Sequence, residues 1–348
     1  MRHFLTLALS IAAALPLAAQ VPQVGIVDFH GLRTIDEATI RRALPFKEGD
    51  PLPKSKGDIE EALESIRGVV RARLEAVCCD EGKAILYVGI EERGAPHFDY
   101  SAAPSGEVRL PEEVHGAYAA FLAAAGRAAR SGNAGESLAD GHSLLTDPAA
   151  REMQLRFIPL AETHHSVLRD VLKNSADEEH RAIAAYVLGY SANKRAIAGD
   201  LQAALKDPDD TVRNNAMRAL AAIAVLASKQ GPDVEPEARI RVPATWFVEM
   251  LDSLLWSDRA TALNTLVTLT ETRDRAALDH LRDRALPTLL EMARWKHLPH
   301  ALPAFILAGR AAGLPETEIQ EAWTSGSRDA MLRRLEPAPL KPEKKRRK

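Results

Sequence analysis

Two stretches decide how this sequence folds: DEEHRAIAAYVLG at 177–189 and DDTVRNNAMRAL at 209–220. Set 32 residues apart, they superpose Arg181 on Arg213, Ala184 on Ala216 and Leu188 on Leu220. SDRATALNTL at 257–266 continues the series with Arg259, Ala262 and Leu266. That step is 46 residues, and the insertion KQGPDVEPEARIRV at 229–242 accounts for the excess of 14. Between the first two copies, NKRAIAGDLQAALKD aligns Ile197, Leu201 and Leu205 on one helix face. Upstream, SVLRDVLKNSADEEHR at 166–181 reads as the second helix of an earlier, worn copy. Helix pairs at this period leave an apolar face that only the next pair can bury, so the pattern predicts an all-α helical-repeat solenoid, placed at 111–335.

These residues resemble HEAT repeats, in particular the short bacterial kind also found in phycobilin lyases. The resemblance is good over 177–227 and fades toward both ends, as capping repeats do. It implies a scaffold for protein partners; the alternative is an enzyme of the bilin-lyase-like group. Asp177 and Asp209 are read as helix caps, and Arg181, Arg213 and Arg259 as a structural ladder with loop acids and carbonyls. Lys194, Arg195 and Gln202 are expected to be exposed on the second-helix surface and to contact a partner.

The front of the chain is of another kind. In VDFHGLRTIDEATIRRAL at 27–44, Val27 and Phe29 alternate with Asp28 and His30. Gly31 ends that strand, and Thr34 with Glu37 reads as a capping box for a helix carrying Ile40 and Leu44. A second helix with Ile59, Leu63 and Ile66 stops at Gly68. VVRARLEAV then buries Val70, Ala72, Leu74 and Ala76 on one face, and Leu86, Val88 and Ile90 repeat the alternation. The expectation is an α+β domain of order β-α-α-β-β over 24–94. FHGLRTIDEATI, the GD after the first helix, IRGVVRARL and the closing IEE together resemble the polypeptide-transport-associated (POTRA) domains of outer-membrane and cell-division proteins. That resemblance implies a periplasmic docking module binding by strand addition along the strand at 69–76, with Val70, Arg71 and Arg73 as its contact residues. The competing reading of Arg71 and Arg73 is that their charges protect the edge from aggregation.

HFDYSAAPSGEVRLPEE lacks a sustained period, so 95–110 reads as a linker between domains that share few contacts and unfold separately. A helix from about 111 to 130 follows.

Net charge −3, pI near 6.4 and only 5% aromatics argue against a protein that coats nucleic acid and against a large aromatic pocket. MRHFLTLALSIAAALPLAAQ has a basic start, a short apolar run and Ala18–Ala19, the three parts of a secretory signal peptide occupying 1–19. A periplasmic or secreted location and protein partners in the cell envelope follow. An uncleaved start would instead give a membrane-anchored, POTRA-bearing cell-division protein. Cys78 and Cys79 read as two reduced, partly buried thiols rather than a redox pair. His164–His165 and His297–His300 lack a completing ligand set, and no nucleophile elbow, phosphate loop or zincin motif is present, so no catalytic, cofactor or metal residues and no small-molecule substrate are expected. KPEKKRRK closes a basic tail, 336–348, read as solvated; its second reading is weak contact with an anionic membrane surface.

Overall fold

The computed structural model describes residues 22–231, 233–235 and 237–336. The leader expected at 1–19 and nearly all of the basic tail lie outside those residues.

The first unit has the anticipated order: β1 (Val24–His30), α1 (Glu37–Ala43), α2 (Lys56–Glu64), β2 (Val69–Asp80) and β3 (Lys83–Glu92). β3 is the central strand, parallel to β1 and antiparallel to β2. Val27, Phe29, Ala72, Leu74, Leu86, Val88 and Ile90 pack with Ile40, Ile59 and Leu63 of the two helices. Three local expectations change, the first being that Ala76, read as core, is exposed. Thr34 does not cap α1, whose N-cap is Asp36; instead the buried Glu92 carboxylate accepts from the amides of Arg33, Thr34 and Ile35 and from the Thr34 hydroxyl. Val70 is not a core residue, because a bulge between Val69 and Arg71 turns it outward and gives its place to Val69.

The helical part runs α3 (Glu112–Arg130), the small hairpin β4 (Glu136–Ser137) with β5 (Leu144–Leu145), then α4 (Pro148–Leu155), α5 (Phe157–Thr163), α6 (His165–Asn174), α7 (Glu178–Leu188), α8 (Lys194–Ala204) and α9 (Asp210–Ser228). It continues with α10 (Thr245–Val248), a 3₁₀ turn, α11 (Trp256–Leu269), α12 (Arg275–Met292), α13 (Leu298–Ala311), α14 (Glu316–Thr324) and α15 (Arg328–Leu335). Helices α7, α9, α11 and α13 pack successively as one layer, with α6 and α8 beside one another in the other. Asp177 and Asp209 cap α7 and α9 as read, accepting from the amides of His180 and Val212.

The expectation of two loosely joined domains is overturned. The second face of the sheet lies flat on the helical stack. The Tyr87 ring packs with Trp256 and Trp295, and its hydroxyl is 2.6 Å from His300 Nδ1. Trp295 Nε1 donates to Phe29 O, and the Lys296 amide donates to Asp28. At Gly89 the fit is closest: a Cβ there would stand 2.4 Å from the Leu254 carbonyl oxygen. β3 is therefore covered on both faces, and Asp28 and His30, read as the polar face of a half-exposed strand, are buried.

Residues 95–110 are likewise no free linker. The Ser101 amide donates to Lys206 O, and Gly106 exchanges hydrogen bonds with Asn174 O and the Ala176 amide. The Leu110 amide donates to His180 Nδ1, while Phe98 and Leu110 are buried. The segment is a strap along the loops that precede α9 and α7, running back to α3. The loop was misread because its anchors are mainly backbone groups, which composition does not reveal.

Candidate partner-binding surfaces

The predicted strand-addition edge is already occupied. On β2 the outward amides of Ala72 and Leu74 donate to Glu64 Oε1 (3.0 Å) and Glu60 Oε1 (2.7 Å) of α2. Arg73 Nη1 bridges the same carboxylates, at 3.2 Å from Glu64 and 3.8 Å from Glu60. Along an antiparallel strand amides alternate in direction, so the Arg73 amide faces β3 rather than solvent. The β1 edge is covered too: Val27 O accepts from Arg41 and Lys296, Phe29 O from Trp295, and residues 49 and 50 pair with Val24. Of the three residues proposed on this edge, Val70 and Arg71 are exposed, whereas Arg73 is half-buried in its ion pairs.

On α8, Arg195 and Gln202 are exposed as expected. Lys194 is not. Its ammonium turns inward, donates to the Gly189 carbonyl at 2.5 Å, and is pushed down by burial to about 8. The apolar stem of lysine lets it cross the helix and close the preceding helix end, where carbonyls lack partners. On the side of α8 that meets α6, Asp200 is held between Arg169 and Lys173, so ion pairs tie the two helices together.

The arginine ladder is real and buried. Arg181 donates to both oxygens of Asp207 (2.8 and 2.9 Å) and to the Ser175 and Ala176 carbonyls. Arg213 repeats this with Asp258 and the Asp207 and Pro208 carbonyls, under the Tyr100 ring of the strap. Arg259, fully buried, reaches only the Ser253 carbonyl, and its Nε and Nη2 find no acceptor among the described residues. The carboxylate that acts on it most strongly is Glu291 of α12, which accepts from the Gly31 amide at 2.8 Å and lies 3.5 Å from His30 Nδ1. Burial pushes Glu291 up to about 7, opposed by the Gly31 amide and Arg259. Burial together with Arg259 and Arg33 holds His30 well below its usual value. Gly31 itself has φ +86°, and a Cβ on it would stand 2.1 Å from the Ile90 carbonyl oxygen.

His297 and His300, read as lacking a completing ligand set, belong to this junction. His300 is pushed down to about 4 by burial and by His297, whose own nearest acid is Asp80 at 3.9 Å. His164 pairs with Glu113 of α3. Cys78 and Cys79 are bonded to each other as a disulfide, not left as thiols. They occupy the stretch of β2 between Val77 and Asp80 where register with β3 is broken, so neither is held in the ladder.

Residues 166–236 match a family model described as HEAT repeats. No curated protein matches the chain. The match covers α6 through α9, the part in which the sequence repeats most clearly.

Proposed function

We propose that this protein is a non-enzymatic scaffold of the cell envelope, exported by its N-terminal leader and built to hold protein partners. The observation that carries this reading is the HEAT-repeat match at 166–236, because such repeats commonly serve as protein-interaction scaffolds. The Arg2, apolar-run and Ala18–Ala19 pattern supports export. The β-α-α-β-β order and the β1–β3–β2 sheet support a POTRA-like first unit. With both sheet edges covered, that unit binds through side-chain surfaces rather than by adding a strand. Val70 and Arg71 on β2, and Arg195 and Gln202 on a solenoid-like outer surface, are its contact residues.

Two measurements test the reading. N-terminal sequencing of the mature protein is expected to begin at Gln20, and a chain beginning at Met1 overturns the exported form. Quantitative cross-linking in envelope extract should enrich a partner with the native protein and lose it with Arg195→Glu combined with Gln202→Glu. Equal enrichment by the two moves the partner surface off α8, and no enrichment with the native protein defeats the scaffold reading.

A further inference from the structure

A groove of 620 Å³ runs between the two parts of the molecule, walled by β1 and α1 on one side and by the α12–α13 junction on the other. Its volume lies within the ~300–1,000 Å³ typical of ligand clefts. Four cations line it: Arg33 and Arg41 from the first unit, Arg294 and Lys296 from the helical stack. Phe29, Leu32 and Pro287 supply apolar lining between them.

The acids of this groove cancel only part of that charge. Asp28 and Glu291 are spent on the amides of Lys296 and Gly31, and burial favours their neutral forms. Glu37 is engaged by Arg41, which also lies over the Phe29 ring. Lys296 is shared with Glu48, and Arg294 with Glu336, both at exposed sites where such pairs are worth little. Arg33 is exposed and makes no ion pair or hydrogen bond through its side chain among the described residues. A chain of net charge −3 thus gathers four positive groups in this cleft, where apolar walls strengthen their field.

We infer that this groove binds an acidic peptide segment of a partner protein, its carboxylates taken by Arg33, Arg41, Arg294 and Lys296 and its apolar side chains by Phe29, Leu32 and Pro287. The complementarity is of two kinds, cationic and apolar, which a peptide with mixed acidic and apolar side chains meets. Phosphate chains and lipid headgroups meet only the first. The inference rests on the scaffold reading and gives the partner its chemistry.

The test uses the full chain and a fluorescein-labelled peptide of alternating Glu and Leu, read by fluorescence anisotropy. The Glu peptide is expected to bind at least tenfold more tightly than its Gln and Lys counterparts, and its affinity should fall at least tenfold between 50 and 500 mM salt. Arg33→Glu with Arg294→Glu should abolish binding, and Arg33→Gln, which removes no side-chain hydrogen bond or ion pair among the described residues, should weaken it several-fold while the protein stays folded. Arg195→Glu on α8 should leave it intact. Absence of binding, equal binding of the Glu and Gln peptides, or indifference to both Arg33 substitutions overturns the inference. So does tighter binding of phosphatidylserine vesicles or of a single-stranded oligonucleotide, which would assign the groove to another class of partner. The cross-linking experiment on the α8 face is independent of these outcomes, so the groove can fail while the scaffold reading stands.

Discussion

Arg213 and Arg259 occupy the same place in successive repeats, at the fourth residue of α9 and of α11, and their surroundings differ in one respect. Arg213 finds a buried aspartate, Asp258, supplied by the next helix of its layer. Arg259 has no such partner: α13 carries His300 at the third position, where α11 carries Asp258, and the carboxylate acting on it is Glu291, which also accepts from the Gly31 amide. The inner rung closes on the repeats themselves, while the last rung hands over to the docked first unit. A repeated arginine therefore serves two ends: it ties repeat to repeat, and then, where the repetition stops, it sits beneath the interface that replaces the missing neighbour.

The largest effect expected from this difference is on stability. Arg213→Met strands the buried Asp258 carboxylate, which among the described residues keeps only Ser253 as a side-chain donor, so the loss should be about 3–5 kcal/mol. Adding Asp258→Leu should recover most of it. Arg259→Met removes a cation that already leaves two N–H groups unsatisfied, and the expected loss is no more than about 1–2 kcal/mol. Urea denaturation of the three variants measures this; equal losses for Arg213→Met and Arg259→Met would erase the distinction between inner and last rung.

The interface that caps the last rung can be broken sterically. Gly89→Val forces a side chain against the Leu254 carbonyl, at a site where even the first carbon stands at 2.4 Å. Native protein should melt in one calorimetric transition, because the Tyr87, Trp256 and Trp295 rings join the two parts. The variant should lose about 1–3 kcal/mol and separate into two transitions. A single transition at the native temperature would show that the sheet slides without cost.

How much of this was legible in the residues? The repeats, their caps and the ladder follow from spacing, since Arg181, Arg213 and Arg259 answer to one period. The strand order of the first unit was legible from alternation and turn signals. The interface was not, although one signal pointed to it: AILYVGI at 84–90 is an uninterrupted apolar run, which marks a strand covered on both faces, yet only Leu86, Val88 and Ile90 were read as core. Lys194 and the β2 edge failed for a different reason. Whether a lysine turns inward to a carbonyl, or a glutamate on one element caps the amide of another, depends on where elements meet in space. Glu60 and Ala72 carry no pattern that reveals it.

Acidity offers a finer probe of the last rung. Glu291 is raised from the ordinary glutamate range to about 7 in the folded protein, so its contribution is fully present below about pH 4.5 and is lost as pH climbs through 7. Glu291→Gln keeps the shape without the titration, and its amide is able to donate toward His30 Nδ1, which has no hydrogen-bond partner among the described residues. The variant should therefore gain on the native protein between pH 4.5 and 7.5, by up to about 3 kcal/mol. His30, held low, acts with the opposite sign: its contribution is present above about pH 6.5 and lost on acidification. Melting temperatures across that range that stay parallel for the two proteins would remove Glu291 from the account of the interface.

The smallest expected effect concerns the edge that the first unit keeps covered. Glu60→Ala with Glu64→Ala frees the Ala72 and Leu74 amides and releases Arg73, each lost hydrogen bond costing about 1 kcal/mol at this partly exposed site. Arg73→Pro is not a usable substitute, because the Arg73 amide points into the sheet and its removal breaks the β2–β3 ladder. The double alanine variant keeps that ladder and exposes outward donors at Ala72 and Leu74 on a strand that already shows Val70 to solvent. Such an edge is a template for another strand, so sedimentation velocity at increasing concentration should show larger species than the native protein gives. If its mass distribution matches the native one, the two glutamates stabilise α2 against β2 and nothing more, and the edge owes its protection to the bulge at Val69–Arg71.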